Sequence, residues 1–279
     1  MIYDNYHTHT LYSDGTAYPV SYVKKAVSLG CSALGFTDHA SLPFFVEWSM
    51  PKKKEQNYLR EIIALKHQYA EQINLLCGLE IDYIPGVSEH FFAKQKRLGL
   101  DYTIGAVHFV VAPDNKRLWF IDGSGDGFHY GLLNLFNGNI QQAVITYYRQ
   151  IRRMLQYEQV TILGHFDKIK MNNNDRFFST KEPWYRREIR LTLEAIKKNG
   201  LIVEINTRGI YKKRYKETFP SPEIIHTCQK SGIPLMLNAD AHQPDELNMG
   251  FSETILMIKD IGVRSLIGYD GNGFSMQSI

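Results

Sequence analysis

Short runs of apolar residues alternate with longer helical patterns along almost all of the 279 residues. Continuous apolar character is typical of strands buried on both faces, and such strands form parallel sheets. The alternation therefore predicts an α/β fold. The predicted strands are 33–37, 73–81, 102–107, 160–163, 201–205 and 234–237, with 2–6 as a further strand at the start.

Between these runs, apolar residues recur at spacings of three and four, as in an amphipathic helix. The patterns are Ile62, Leu65, Tyr69, Ile73; Ile140, Val144, Tyr147, Ile151, Leu155; and Tyr185, Ile189, Leu193, Ile196. Pro19 suits the first turn of a helix that reaches Gly30, and Gly200 is placed to cap another helix.

Seven strand–helix alternations without a break in composition predict one domain over residues 1–279. At this length a closed β/α barrel is favoured, with a doubly wound open sheet as the alternative. His7-Thr-His9 stands where a dinucleotide-binding fold would carry its glycine-rich turn, which disfavours the open sheet.

Residues 109–139 interrupt the alternation and are predicted to be an insertion loop. Asp122, Ser124 and Asp126 are spaced as in a calcium loop, but Leu133 replaces the glutamate that an EF-hand needs, so that motif is rejected. Two interpretations stay open, an ordered surface loop and a lid over a site.

The charge balance is mild, with 32 basic and 29 acidic side chains and a net charge of +3. This balance does not call for a nucleic-acid partner. Three scattered cysteines without a CxxC pair favour a reducing compartment. We find no signal peptide and no apolar run of about 20 residues, so the expectation is a cytoplasmic protein with no membrane partner.

Ionisable residues collect where the predicted strands end. In a β/α barrel the carboxyl ends of all strands meet at one rim, so these groups are expected to converge. Histidines 67, 90, 129 and 226 lie elsewhere and are expected to have no role in a site. The converging set is His7, His9, Asp38, His39, Glu80, His108, His165, Asp240 and His242.

Imidazoles and carboxylates without thiolates suit Zn²⁺, Mn²⁺ or Fe²⁺. His7 and His9, like Asp240 and His242, are two residues apart and point to the same face of a strand. Asp38 and His39 are adjacent, so either both bind metal at a bend or one orients the other. The set exceeds the four ligands of one zinc ion. A carboxylate such as Glu80 can bridge two ions, which predicts a multinuclear hydrolytic site.

Seven motifs in this order resemble the polymerase-and-histidinol-phosphatase (PHP) family. They extend from the N-terminus to about Gly250. The motifs are His7-Thr-His9, Ser13-Asp14-Gly15, Thr37-Asp38-His39, Gly78-Leu-Glu80, Gly105-Ala-Val-His108, Gly164-His165-Phe-Asp167 and Asn238-Ala-Asp240-Ala-His242.

The resemblance implies a distorted (β/α)₇ TIM-like barrel with three divalent metal ions. It implies a first ion held by His7, His9, Glu80 and Asp240, and a second, bridged by Glu80, held by His108 and His165. It also implies a third ion held by Asp14, His39 and His242. Asp14 is histidine in some members of the family, and its motif alone would indicate an ordinary turn.

Within the family, Glu204-Ile-Asn206-Thr-Arg208-Gly and Phe219-Pro-Ser-Pro-Glu resemble the stand-alone phosphatases of histidine biosynthesis. This implies a small phosphorylated substrate, L-histidinol phosphate. A hydroxide bridging two ions near Glu80 is expected to attack phosphorus, because metal binding lowers the pKa of water. The expected catalytic residues are Glu80, Asp240 and His242.

Arg208 is the expected phosphate clamp, because guanidinium groups pair bidentately with phosphate, and Lys170 is a second candidate. The run 212–214 is interpreted as a solvated basic face. Asp122 is a weaker suggestion for the partner of the substrate ammonium. The alternatives are another PHP phosphoesterase, such as a 3′–5′ exonuclease or a nucleotide-phosphate hydrolase, and a regulatory barrel that keeps metals for structure.

Overall fold

The computed structural model describes residues 4–173 and 175–279. Six parallel strands form the main sheet, in the order β1-β2-β3-β6-β7-β8. The strands in the described part of the chain are β1 (Ala33–Phe36), β2 (Asn74–Asp82), β3 (Tyr102–Ala106), β4 (Phe109–Val111), β5 (Leu118–Phe120), β6 (Ile162–Leu163), β7 (Ile202–Asn206), β8 (Leu235–Asn238), β9 (Ser265–Tyr269) and β10 (Phe274–Ser278).

Helices follow most of the barrel strands and pack their apolar faces against the sheet. They are α1 (Pro19–Leu29), α2 (Glu55–Gln68), α3 (Phe91–Leu98), α4 (Gly125–Phe136), α5 (Ile140–Tyr157), α6 (Pro183–Asn199), α7 (Arg208–Tyr211), α8 (Pro222–Ser231) and α9 (Phe251–Asp260). Short 3₁₀ helices occupy Lys52–Lys54, Lys168–Lys170 and Pro244–Glu246.

Residues 5–9 lie between the two edges of this sheet. The Gly35 amide donates to the Asn5 carbonyl at 2.9 Å, and the Ala241 amide donates to the His7 carbonyl at 3.0 Å. The segment thus takes the position of a seventh barrel strand through isolated bridges at Asn5 and Thr8. Of the predicted strand 2–6, residues 2 and 3 lie outside the described residues.

The fold confirms the predicted α/β class and the distorted TIM-like barrel, and the other six predicted strands agree with β1, β2, β3, β6, β7 and β8 to within one or two residues. Gly30 and Gly200 end α1 and α6 in the left-handed conformation, as expected. The helix predicted from the apolar pattern that reaches Ile73 is shorter in the structure, where α2 ends at Gln68.

The segment 109–139 is more regular than a loop. It contains the antiparallel pair β4–β5 followed by the helix α4. Trp119 in β5 is buried, and its ring packs against Phe128 and Phe136 of α4. The segment therefore has its own apolar contacts and forms a layer at the rim of the barrel.

The other end of the barrel is covered by the β9–β10 hairpin. Phe274 packs edge-on against Tyr6 and Tyr102, and the Tyr269 amide donates to the Tyr6 hydroxyl at 2.8 Å. No helix in the described residues is both long and apolar enough to span a membrane.

Candidate metal centre

The structure brings all nine predicted ligands together at the carboxyl ends of the barrel strands. Their nitrogen and oxygen atoms form four overlapping groups, each compact enough to hold an ion. These groups are His9–Asp14–His39–His242, His7–His9–Asp240, His7–Glu80–His165 and His39–Glu80–His108. The four histidines that were expected to have no role belong to none of these groups.

Glu80 lies at the centre, with its carboxylate facing five imidazoles. Burial raises the pKa of this carboxyl, but His39, His7 and His108 lower it more, so the pKa lies well below its usual value. The Oε1 atom of Glu80 lies 2.9 Å from His165 Nε2 and 3.7 Å from His108 Nε2. The Oε2 atom lies 2.9 Å from His39 Nδ1, 3.4 Å from His7 Nε2 and 3.6 Å from His9 Nε2.

Asp240 follows the end of β8 and faces His7 and His9. Its Oδ1 lies 3.2 Å from His9 Nε2 and 3.7 Å from His7 Nε2. Asp240 has a φ of 54°, and His165 has a φ of 22°. Non-glycine residues seldom adopt such backbone conformations, and they cluster where surrounding structure holds functional side chains in place.

Asp14 reaches the cluster from the loop after residue 9. Its carboxylate lies 3.2 Å from His242 Nε2, 3.7 Å from His9 Nδ1 and 3.9 Å from His39 Nε2. The Ser13-Asp14-Gly15 turn therefore presents a carboxylate to the rim, next to two of the candidate ligands, His39 and His242.

Asp38 and His39 point in different directions. His39 joins the cluster, whereas Asp38 accepts hydrogen bonds from the amides of Thr10 and Ser13 at 2.8 and 3.0 Å. Asp38 also accepts bonds from both hydroxyls. It thus fixes the turn that carries Asp14.

Three buried ring nitrogens face the cluster and make no hydrogen bond within residues 4–173 and 175–279: His7 Nε2, His9 Nδ1 and His9 Nε2. Unpaired buried polar atoms are costly and uncommon in folded proteins. Imidazole nitrogens opposite Glu80 and Asp240 form a donor set that divalent cations satisfy. The residues present therefore fit divalent metal ions.

A cavity of about 200 Å³ opens above the cluster. The expected catalytic residues Glu80, Asp240 and His242 all line it, whereas His7 and His9 lie beneath and are fully buried. The rest of its wall is formed by Asp14, His39, Trp48, His108, Phe120, Asp122, Lys168, Arg208 and Arg214. A larger cavity of about 560 Å³ lies between α6 and α8 and contains none of the ligands.

Arg208, the expected phosphate clamp, lines the cavity of about 200 Å³ above the cluster. Its Nη1 donates to the Asp240 carbonyl at 2.8 Å and lies 3.5 Å from Glu246 Oε2. Burial lowers the pKa of this guanidinium, but Asp240, Tyr211 and Glu246 raise it more, so the group stays charged.

Lys170, the second candidate for binding phosphate, is not among the residues that line the cavity above the cluster. Its Nζ lies 2.6 Å from Asp167 Oδ2 and donates to the Thr218 carbonyl at 3.2 Å. The ammonium also lies over the rings of Tyr215 and Phe219. Lys170 is therefore a buried structural cation.

Lys168 is a second cationic residue beside the cluster, and the sequence analysis does not single it out. It lines the cavity, and its Nζ lies 2.8 Å from Asp122 Oδ2. The available signal was its position three residues after His165, directly after the Gly164-His165-Phe-Asp167 motif.

The run 212–214 is not simply a solvated face. Arg214 lines the cavity, and its Nη2 donates to the carbonyls of Asp122 and Gly123 at 3.0 Å each. Lys212 forms an ion pair with Glu246. Asp122 lies between Lys168 and Arg214, so its charge is already compensated by two cations.

The segment 109–139 supplies Phe120 and Asp122 to the cavity wall. The turn 121–123 is held from a second loop, because Asn172 Nδ2 donates to the Ile121 and Gly123 carbonyls at 2.9 and 3.1 Å. On the opposite side, Trp48 stacks parallel to Phe120 at 5.9 Å between ring centres.

Comparison with known proteins gives a consistent result. The PHP domain model matches residues 5–208. A Deinococcus radiodurans protein named "Probable histidinol-phosphatase" is 30% identical over 266 residues, which cover 93% of this chain and 94% of that protein.

Two solved structures share the fold. A Listeria monocytogenes protein described as a "putative histidinol phosphatase" superposes with a TM-score of 0.80 and 22% identity, covering 90% of this chain and 99% of its own. A histidinol phosphate phosphatase from Lactococcus lactis, complexed with zinc, L-histidinol and phosphate, gives a TM-score of 0.66 and 18% identity, covering 98% of both chains.

Proposed function

Because the chain belongs to the PHP domain family, we propose that it is a metal-dependent phosphatase that hydrolyses L-histidinol phosphate to L-histidinol and phosphate. The observation that carries the proposal is the ring of five imidazoles around Glu80, beneath a small cavity with cationic side chains in its wall. The Deinococcus relative and the zinc, L-histidinol and phosphate in the Lactococcus structure support the choice of substrate.

Three divalent ions are assigned to the cluster. His7, His9, Glu80 and Asp240 would hold the first, and His108 and His165 the second, with Glu80 shared. Asp14, His39 and His242 would hold the third. Divalent ions at such a site supply a lowered pKa for water and positive charge against the phosphate oxygens. Zinc, manganese and iron all suit these ligands.

The side chains of the chain itself bind and orient the phosphate. Arg208 and Lys168 project from different elements into the same cavity, and both carry charge there. A guanidinium can donate two parallel hydrogen bonds to a phosphate, while an ammonium acts as a point charge. Together they would hold the monoester with its phosphorus above Glu80, Asp240 and His242.

The size of the cavity favours a small monoester over a polynucleotide. About 200 Å³ is below the usual range of pockets for drug-sized ligands, roughly 300–1,000 Å³. Trp48 and Phe120 provide an aromatic wall that suits the imidazole ring of histidinol phosphate. A nuclease would need an open, positively charged groove that follows the strand.

Steady-state turnover tests the proposal. The metal-reconstituted protein is assayed on L-histidinol phosphate, a nucleoside monophosphate and single-stranded DNA, with Glu80→Ala as the inactive control. We expect hydrolysis of histidinol phosphate with a kcat/KM at least about 100-fold above the others, as hydrogen-bonded substrate groups allow. Preference for DNA or the nucleotide would instead favour another PHP phosphoesterase.

A further inference from the structure

Glu204 is a buried carboxylate of β7 that lies behind the metal centre. It is fully buried and belongs neither to the cavity wall nor to the groups of candidate ligands. Its Oε1 lies 2.6 Å from His7 Nδ1. We propose that Glu204 is a positioning residue that fixes His7 and His165 for metal binding, an inference that rests on the proposed metal-dependent function.

The contact with His7 sets which ring nitrogen is free. Since an ionised carboxylate only accepts hydrogen bonds, His7 Nδ1 must carry the proton. In the neutral ring, His7 Nε2 then carries the lone pair that can bind a metal, and this is the atom that faces Glu80 and Asp240. A carboxylate behind a histidine ligand fixes the ring and increases its basicity.

The second oxygen of Glu204 reaches a different part of the cluster. Oε2 accepts the backbone amide of His165 at 2.9 Å, at the residue whose φ is 22°. It also accepts Asn206 Nδ2 at 3.1 Å, and the same amide group lies 3.2 Å from Asp240 Oδ2. The Glu204 carboxylate thus contacts His7 and His165 directly and Asp240 through Asn206, so it connects three candidate ligands that are far apart in the sequence.

Four donors face this carboxylate, two at each oxygen, since Asn238 Nδ2 also donates to Oε1 at 3.1 Å. A glutamine has one carbonyl oxygen and one NH₂ group. In either orientation, Glu204→Gln would turn its NH₂ group towards two donors. His7 could accept from that group only in the tautomer that places a proton on Nε2, where the metal should bind.

Zn²⁺ affinity tests the inference without reference to turnover. Metal-free wild-type protein and E204Q are titrated with Zn²⁺ against a chromophoric chelator. We expect 10–100-fold weaker binding in E204Q, as for other residues that orient metal ligands. Saturating Zn²⁺ should restore much of the lost kcat. Glu188→Gln is the matched control, because Glu188 is a buried carboxylate of α6 that pairs with Arg152.

Unchanged Zn²⁺ affinity in folded E204Q would overturn the inference and leave the phosphatase proposal intact. Failure of the wild type to bind Zn²⁺, Mn²⁺ or Fe²⁺ would overturn both. If circular dichroism shows that E204Q does not fold, Asn206→Ala is titrated instead, because it removes the donor shared by Glu204 and Asp240. We expect a several-fold loss of Zn²⁺ affinity there, and no loss would contradict the inference.

Discussion

Among single residues, Arg208 both lines the cavity and contacts a candidate metal ligand, Asp240. Its Nη1 donates to the Asp240 carbonyl and the Tyr211 hydroxyl, and we expect its Nε and Nη2 groups to bind a ligand in the cavity. Arg208→Met keeps most of the length of the side chain and removes the charge. We expect KM for the phosphorylated substrate to rise about 10–100-fold with a smaller change in kcat, since a hydrogen bond to a charged group contributes roughly 1.5–3 kcal/mol. Initial rates over a range of substrate concentrations measure this.

Arg190→Met is the control for that substitution. Arg190 is exposed on α6 and pairs with Glu194, far from the cluster in the sequence and outside the cavity wall. Its replacement should leave KM unchanged. An Arg208→Met enzyme with the wild-type KM would remove Arg208 from the phosphate site.

Two pairs of residues that are each two positions apart, His7 with His9 and Lys168 with Lys170, differ in how far the sequence predicts their orientation. The positions of His7 and His9 follow from a simple rule, because residues two apart on an extended segment share a face. Lys168 and Lys170 are also two apart, but they lie in a 3₁₀ helix. With three residues per turn, such residues point in different directions. The type of turn after β6 is not visible in the sequence, so the sequence alone does not show that Lys168 lines the cavity and that Lys170 points elsewhere.

At the scale of elements, Gly131 allows α4 to lie directly on Trp119. A Cβ at this position would overlap the indole ring. Gly131→Ala should therefore push α4 away from β5 and lower the free energy of unfolding by about 1–3 kcal/mol. Because β5 leads into Phe120 and Asp122 in the cavity wall, we also expect KM to rise severalfold while the amount of bound metal stays the same.

Gly125→Ala provides the matched control in the same helix. Nothing lies within 4 Å of a Cβ at Gly125, so stability and KM should stay at wild-type values. Denaturant melts and steady-state kinetics on both variants measure the difference. Equal behaviour of the two variants would show that the α4–β5 contact does not shape the cavity.

A second contact between elements gives a pH dependence. Glu55 of α2 accepts hydrogen bonds from Ser41 at 2.5 Å and from Lys94 of α3 at 3.1 Å. Burial raises the pKa of Glu55, but Ser41 and Lys94 lower it more, so it lies below the usual 4.5. A carboxyl with a lowered pKa stabilises the fold above its ordinary pKa, and this contribution is lost as the pH falls through the folded value.

Glu55→Gln should therefore destabilise the protein at pH 7 and have little effect at low pH. At pH 7 we expect a loss of about 1–3 kcal/mol, because Lys94 is buried and loses a charged partner. The loss should shrink as the pH falls below 4.5, the ordinary pKa of this carboxyl, and through its lower pKa in the folded protein. Urea melts at pH 7 and at a pH below 4.5 measure this loss of stability, with the exposed Glu194→Gln as control. A constant difference between wild type and Glu55→Gln across pH would contradict the ionic origin.

The elements themselves were largely predictable, for an identifiable reason. Strands such as β1 and β8 are buried at every position, so their sequences are apolar apart from Asn238 at the end of β8. Residues 109–139 contain short strands and a helix that depend on Trp119, Phe128 and Phe136 meeting in space. That contact is tertiary, and no local periodicity shows it. Residues 5–9 are similar, because they pair with two strands distant in sequence.

At the scale of the whole molecule, the metal cluster lies where the barrel closes. Its ligands come from residues 5–9, the following turn, and the ends of β1, β2, β3, β6 and β8. Glu80 and Asp240 are buried there, and the ring nitrogens of His9 make no hydrogen bond to the described residues. Ions bound there would join elements that are far apart in sequence, so metal binding should contribute directly to stability.

Removal of metal tests this link between site and fold. Chelation should abolish hydrolysis of the phosphate monoester and lower Tm, because a ligand at about 100 times its Kd stabilises the native state by roughly 2.7 kcal/mol. In a chain of this size each kcal/mol corresponds to about 2–4 °C, so we expect a decrease of several degrees. Calorimetry and activity assays before and after addition of Mn²⁺ or Zn²⁺ should show both properties returning together. His7→Ala should have a low Tm that added metal restores only in part. Turnover that survives chelation would rule out metal-dependent hydrolysis, and an unchanged Tm would separate the ions from the stability of the barrel.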